Sequence, residues 1–212
     1  MVRTALLATS AVCALSGPAA AELTGTAFDY EVDGTTFEGY VARNDDLADT
    51  RGTVLILHDW DGLTDYEMQR ADMLAALGYT AVAIDVYGKD NRPTSMDENR
   101  ARSGELYADR EMFRARLMGS LDAAQALEGT PEGTVMIGYC FGGAGVLEAA
   151  RAGMELSGFV SFHGGLGTPE GQSYEGASGP ILMLHGSADP VSGPADLAAV
   201  MAEMLEHGVE HA

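Results

Sequence analysis

A mostly parallel α/β sheet with helices on both faces is the fold class this sequence predicts, and three observations carry that prediction. Short continuous apolar runs, Thr53–Leu57 and Thr80–Ile84, are what a strand buried on both faces requires. Helix-compatible stretches separate such runs, and strands alternating with helices fold into parallel sheets. Finally, the apolar residues 135–139 run straight into a glycine-rich turn at 138–143 and a helix-compatible run at 144–150.

The elements follow in order. Residues 26–32 and 35–42 alternate apolar and polar side chains around Asp33-Gly34, which predicts an N-terminal antiparallel hairpin. An acidic loop, 44–51, leads into Thr53–Leu57. Thr64 and Glu67 form the capping box of a helix that Gly78 closes. The strand Thr80–Ile84 and a loop over 85–93 come next. A helical region then extends to Leu127 with an expected break near Gly104, and Phe113, Leu117 and Leu121 supply one apolar face within it. The strands Gly158–Phe162 and Ile181–Leu184 flank a long Gly/Ser-rich loop at 164–179, and a helix spans Pro194–Glu206. Internal repeats and domain linkers are not apparent.

Composition narrows the function classes. Twelve basic against 32 acidic residues give a formal charge of −20, and Lys89 is the sole lysine. Nucleic acids and anionic membrane surfaces require basic patches, so neither is expected as a partner. Arg3, the apolar stretch 5–15 and the small residues Ala19-Ala20-Ala21 read as an export signal over residues 1–21, too short in its apolar core to span a bilayer. The expected mature domain is 22–212, periplasmic or secreted and free of the membrane after cleavage. Cys13 leaves with the signal, so Cys140 becomes the only cysteine and a disulfide within the mature chain is impossible.

That cysteine sits at the centre of Gly138-Tyr139-Cys140-Phe141-Gly142. Strand, sharp turn and helix around Gly-x-nucleophile-x-Gly is the nucleophile elbow of α/β-hydrolases, in which the glycines leave room for strand and helix to close on each other. A thiol at this position points to a cysteine hydrolase. In parallel sheets ligand sites lie beyond the carboxyl ends of the strands. Those ends carry His58-Asp59, Asp85, Cys140, His163 and His185, with Asp189 just beyond.

Five segments together resemble the dienelactone hydrolase family: residues 58–63 (HDWDGL), residues 77–89 (Leu-Gly-Tyr through Asp-Val-Tyr-Gly-Lys), residues 138–143 (GYCFGG), residues 161–164 (SFHG) and residues 184–190 (LHGSADP). The resemblance covers nearly all of the mature chain. It implies an α/β-hydrolase fold and a Cys-His-Asp triad that opens enol-lactones or cleaves related esters, without a cofactor. By resemblance Cys140 is the nucleophile, and Asp189 orients the histidine. The backbone N–H groups of Phe141 and Trp60 form the oxyanion hole. Asp59 takes the place where the family often has a glutamate that contacts the resting thiol. The family's histidine follows a further strand after the helix ending at Glu206. The sequence reaches only Ala212, so the last strand and helix of the fold are expected to be missing, the sheet edge exposed and this chain inactive or severely impaired. His207 and His211 read as solvated surface residues.

Two other readings compete. His58, His163 and His185, with Asp59 or Asp85, could bind zinc, although histidines at these strand ends also serve to order loops. An exported, non-catalytic binding protein would need a pocket but no histidine. Nucleotide binding is excluded, because neither Gly-x-Gly-x-x-Gly nor Gly-Lys-Ser/Thr is present. Arg100, Arg102, Arg110, Arg114 and Arg116 are candidates to grip a substrate carboxylate. Arg110 and Arg114 share one helix face, which is equally how a solvated face looks.

Overall fold

The computed structural model describes residues 23–47 and 50–212. The predicted signal over 1–21 lies outside the described residues. Seven strands form one sheet: β1 (Leu23–Val32), β2 (Thr35–Asn44), β3 (Thr53–Leu57), β4 (Thr80–Ile84), β5 (Thr134–Tyr139), β6 (Gly158–Phe162) and β7 (Ile181–Leu184), in the spatial order β1-β2-β4-β3-β5-β6-β7. β1 and β2 are antiparallel to their neighbours, and β4, β3, β5, β6 and β7 are mutually parallel. All ten residues of β3 and β4 are buried, as their unbroken apolar runs require.

Among the described residues five α-helices complete the fold: α1 (Asp65–Ala76), α2 (Met96–Ala108), α3 (Arg110–Ala126), α4 (Phe141–Arg151) and α5 (Pro194–Glu206). The capping box of α1 forms as predicted. Thr64 Oγ1 accepts from Tyr66 N at 3.2 Å while Glu67 Oε2 accepts from Thr64 N at 2.9 Å. Gly78, at φ 92°, ends the helix.

The long helical region departs from its predicted form. It breaks at Asp109, not near Gly104. Glycine weakens a helix by about 1 kcal/mol without forcing an end, and Gly104 faces open space. Asp109 leaves the helical region (φ −117°, ψ 87°) and its side chain accepts from Met112 N at 2.9 Å, which starts α3 afresh.

The two faces of the sheet are covered unequally. Leu55, Leu57, Met136, Phe159, Ile181 and Met183 pack with residues of α2, α3, α4 and α5 into the larger core, which includes Phe113, Leu117 and Leu121. On the other face α1 covers Val54, Ile56, Ala81 and Ala83. Beyond α1 that face opens into an apolar trough of about 500 Å³ that includes Ile137, Tyr139, Phe162, Leu182 and Leu184. Leu182 is 38% and Leu184 45% exposed there, while Ile181 and Met183, pointing the other way, are buried.

The last residues begin to pair with β7 in parallel: Ile181 N donates to Glu210 O at 2.9 Å, and Met183 N to Ala212 O at 2.8 Å. His211 therefore lies beside the start of β7, at the end of the sheet opposite Cys140. Its Nδ1 is 2.8 Å from Val209 O. His207 is the residue that ends α5. Both are half-buried, and neither faces the cysteine's end of the sheet.

Candidate active site

The site is built where β5 turns into α4. Cys140 occupies a backbone conformation that non-glycine residues rarely adopt (φ 53°, ψ −111°). Such strain persists only where the surroundings enforce it. Here the enforcement is close packing. A Cβ on Gly138 would collide with the Gly142 carbonyl, and one on Gly142 with the carbonyls of Leu57 and His58. Only glycines let β5, the first turn of α4 and the end of β3 approach this closely. Cys140 N still donates to Phe162 O at 3.0 Å, so the ladder between β5 and β6 continues into the turn.

The thiol opens on a cavity of about 370 Å³ whose lining includes Trp60, Tyr107, Phe141, His163, Asp189 and Val191. Its volume falls at the small end of ligand sites. Burial pushes the Cys140 thiol above its ordinary range. The Phe141 backbone N–H opposes that shift, while the carboxylates of Asp59, Asp189 and Asp61 add to it. At neutral pH the sulfur therefore holds its proton, and nucleophilic attack requires a base to remove it.

Asp189 lies in the loop after β7. Its Oδ1 accepts from Val191 N at 2.8 Å and Ser192 N at 3.0 Å, which holds its carboxyl below the usual range, helped by His185 and His163. The residue is thus both a turn former and a charged wall of the cavity.

Asp59 and Asp61 stand together. Asp59 Oδ1 accepts from Asp61 N at 3.0 Å. Burial and the adjacent Asp59 carboxyl push Asp61 up to about 7. Asp59 adds its negative field to the thiol, but no hydrogen bond between the two is seen. Trp60 is partly buried against the larger core, and its carbonyl accepts from Tyr87 Oη at 3.1 Å, which fixes the backbone that carries the Trp60 N–H.

Behind this loop lies a sealed pair. The His58 ring is fully buried, edge-on to Tyr87 and stacked on Phe141. Nε2 accepts from Val86 N at 3.2 Å, which makes Nδ1 the donor to Asp59 O at 2.5 Å. Asp85 comes within 3.7 Å of Nε2, but its oxygens accept from Tyr87 N at 2.7 Å and Gly88 N at 3.1 Å. With the Nε2 lone pair already committed to Val86, the contact is a neighbourhood and not an ion pair. His58 and Asp85 order loops, as does His185, whose Nε2 is 2.7 Å from Ser192 O. Among the described residues no group of three or more His, Cys, Asp or Glu side chains is arranged to hold a metal ion.

The arginines correct the sequence reading. Arg110 and Arg114 do not form a solvated face. They converge with Arg151 on the fully buried Glu148 of α4, at 3.2, 2.6 and 3.0 Å. Gln172 Nε2 adds a further bond at 2.9 Å. Burial alone would raise the Glu148 carboxyl, but Arg114 and Arg151 outweigh it and hold the carboxyl down. Arg116 donates to Val86 O at 2.7 Å. Arg100 and Arg102 pair with Asp97 and Glu105 on the surface of α2. None of the five lines the Cys140 cavity.

The family model of the dienelactone hydrolases matches residues 37–212. The chain belongs to the dienelactone hydrolase family. Among solved structures, the protein m3DLH is 31% identical and superposes with a TM-score of 0.83, over 90% of this chain and 80% of its own. A dienelactone hydrolase-like promiscuous phosphotriesterase from metagenomic libraries is also 31% identical, with a TM-score of 0.84 over 91% of this chain and 80% of its own. An acylaminoacyl peptidase of Pyrococcus horikoshii, 14% identical at a TM-score of 0.66 over 89% of this chain and 36% of its own, shares the fold alone. No curated protein sequence matches. This dienelactone hydrolase family member is thus a hydrolase of the α/β-hydrolase kind.

His163, named from sequence only among the ionisable strand ends and possible zinc ligands, lines the Cys140 cavity. Its signal was available: it lies one residue beyond the strand next to the elbow and immediately before a glycine. What the sequence could not supply was which strand neighbours β5.

Proposed function

We propose that this protein hydrolyses a lactone or short ester through Cys140 and a covalent acyl-enzyme. The observation that carries the proposal is a cysteine on strained backbone at the strand–helix turn, opening on a cavity with the apolar walls Trp60, Tyr107, Phe141 and Val191. A histidine oriented by Asp189 takes the thiol proton. The Sγ electron pair attacks the acyl carbon, and the carbonyl electrons collect on an oxyanion held by the backbone N–H groups of Phe141 and Trp60. The leaving oxygen then departs with the histidine's proton. Water, deprotonated by the same histidine, attacks the thioester and releases the acid and the free thiol.

The experiment follows hydrolysis of a small activated ester and of a dienelactone by the chain and by Cys140→Ala. Turnover lost with the cysteine supports the proposal. Equal turnover in a folded Cys140→Ala protein overturns it. An aryl phosphotriester belongs in the same series, because a relative of 31% identity is a promiscuous phosphotriesterase. We also propose export to the periplasm or medium, tested by N-terminal sequencing of the mature protein, which is expected to begin at Glu22.

A further inference from the structure

We infer that the Cys140 cavity takes uncharged esters and lactones with an apolar acyl group and turns away substrates that carry a carboxylate. This substrate class rests on the cysteine mechanism proposed above. It begins with where the cations are. Lys89 bonds to Asp29 and Glu38, and Arg92 shares Glu38. Arg110, Arg114 and Arg151 are held by the buried Glu148, and Arg116 by Val86 O. Arg100 and Arg102 pair with carboxylates of their own helix. Arg43 donates to Thr130 Oγ1 at 3.4 Å, while Arg51 and Arg70 lie over the rings of Tyr79 and Tyr66. Every lysine and arginine among the described residues is thus engaged elsewhere, and none lines the cavity. Arg110 reaches the outside of one wall, 4.8 Å from the Tyr107 ring centroid, but its Nη1 is spent on Glu148 at 3.2 Å.

The charges on the cavity side are negative. Asp189 lines it, and the N–H groups of Val191 and Ser192 keep its carboxylate ionised at neutral pH. Asp59 and Asp61 stand in the loop after β3, and together with Asp189 they oppose a negative charge on the sulfur. The imidazoles nearby are His163 on the lining and His185 beside Asp189. Burial pushes the Tyr107 phenol up to about 12, so it faces the site as a neutral hydroxyl.

The rest of the wall offers an anion little. Trp60, Phe141, Pro190 and Val191 are apolar where they meet the cavity. Ser103, the lining residue one turn before Tyr107 on α2, turns its hydroxyl back to Asn99 O at 2.9 Å. A substrate carboxylate placed here would lose water, gain no cation and meet three carboxylates, which is the costly way to bury a charge. An uncharged acyl group loses nothing electrostatically and gains contact with the aromatic walls. The cavity is open to solvent, so the discrimination is a matter of field strength and weakens as salt screens it.

The test compares alkylation of Cys140 by neutral iodoacetamide and anionic iodoacetate at pH 8.5, counted by peptide mass, with 2-mercaptoethanol as the reference thiol. In both reactions the sulfur displaces iodide from a CH2 carbon, so the thiolate fraction cancels in the ratio of rates. Relative to the reference, Cys140 is expected to favour iodoacetamide by about ten-fold at low salt and about three-fold in 1 M salt. Asp59→Asn and Asp61→Asn, with folding verified by thermal melting, should each lower the low-salt preference by about two- to three-fold. A preference equal to the reference thiol's overturns the inference, as does one that neither salt nor either asparagine moves. Alkylation needs no turnover, so the mechanism is scored apart by ester hydrolysis in Cys140→Ala. Selective alkylation with turnover that ignores Cys140 sinks the mechanism and keeps the cavity's charge preference. Turnover that needs Cys140 with unselective alkylation does the reverse.

Discussion

Two sets of ionisable side chains, one sealed in the interior and one on a cavity wall, differ in what their surroundings leave them free to do. His58, Asp85 and Glu148 are fully buried, and each spends its polar atoms on hydrogen bonds within the protein. Cys140, His163 and Asp189 face an open cavity, two of them on strained backbone. The difference is one of solvation. A sealed polar group must be satisfied to exist at all, so its loss shows as stability. A group on a cavity wall has capacity left for a ligand, so its loss shows as activity. Composition does not separate the sets, since both mix histidine with carboxylates.

Substitutions can break this contrast, beginning with the largest effect. Cys140→Ala is expected to reduce ester turnover by on the order of 10⁴-fold or more. Its thermal midpoint should stay close to the parent's, since the thiol closes no network. A fall in midpoint comparable to that of a core variant would place Cys140 in the sealed set. Glu148→Ala is expected to behave the other way. Removing the carboxylate leaves Arg110, Arg114 and Arg151 crowded without a counter-charge and should destabilise by about 3–5 kcal/mol in denaturant unfolding. A loss under 1 kcal/mol would show that water reaches the cluster.

His58→Leu keeps the apolar contacts with Tyr87 and Phe141 but orphans Val86 N–H and Asp59 C=O, at a cost of about 1–3 kcal/mol. Because the same ring steadies the backbone before Trp60, KM and kcat for the ester should both suffer in the folded variant. A stability loss with untouched kinetics would separate His58 from the oxyanion loop.

Asp61 tests the boundary between the sets with a small, signed effect. Its folded carboxyl is pushed up to about 7 against an unfolded 3.8, so folding binds its proton. The penalty is absent below about pH 3.8, develops as pH rises and is complete above about 7. Solvent exposure of the side chain keeps it modest. Asp61→Asn is therefore expected to raise the melting midpoint at pH 8 and leave it nearly unchanged at pH 4. It should also speed Cys140 alkylation by removing a negative neighbour of the thiolate. Equal midpoint shifts at both pH values would remove the carboxyl interaction as the cause.

Much of the fold was legible in the sequence because its signals are local. The runs of β3 and β4 are apolar on both faces, the Thr64–Glu67 box closes within one turn, and the glycines around Cys140 announce a close approach wherever strand meets helix. The break at Asp109 was misplaced because glycine is a visible breaker while an aspartate's capping depends on the backbone it sits in. Arg110 and Arg114 were misread for a related reason. Their i,i+4 spacing is visible in sequence, but the buried partner they share lies 38 and 34 residues away, respectively, in α4.

The sequence by itself determined the fold class, the elbow cysteine and the candidate acid, since each rests on residue type and spacing over a few positions. Only the tertiary structure decided which histidine shares that cysteine's cavity. Strand order and register bring Cys140 and His163 together across 23 residues of chain, and no local pattern encodes which strand lies next to β5. Burial was decided there too: the same residue types became sealed supports at His58 and Glu148 and an open site at His163 and Asp189, because access to water is a property of the packed molecule.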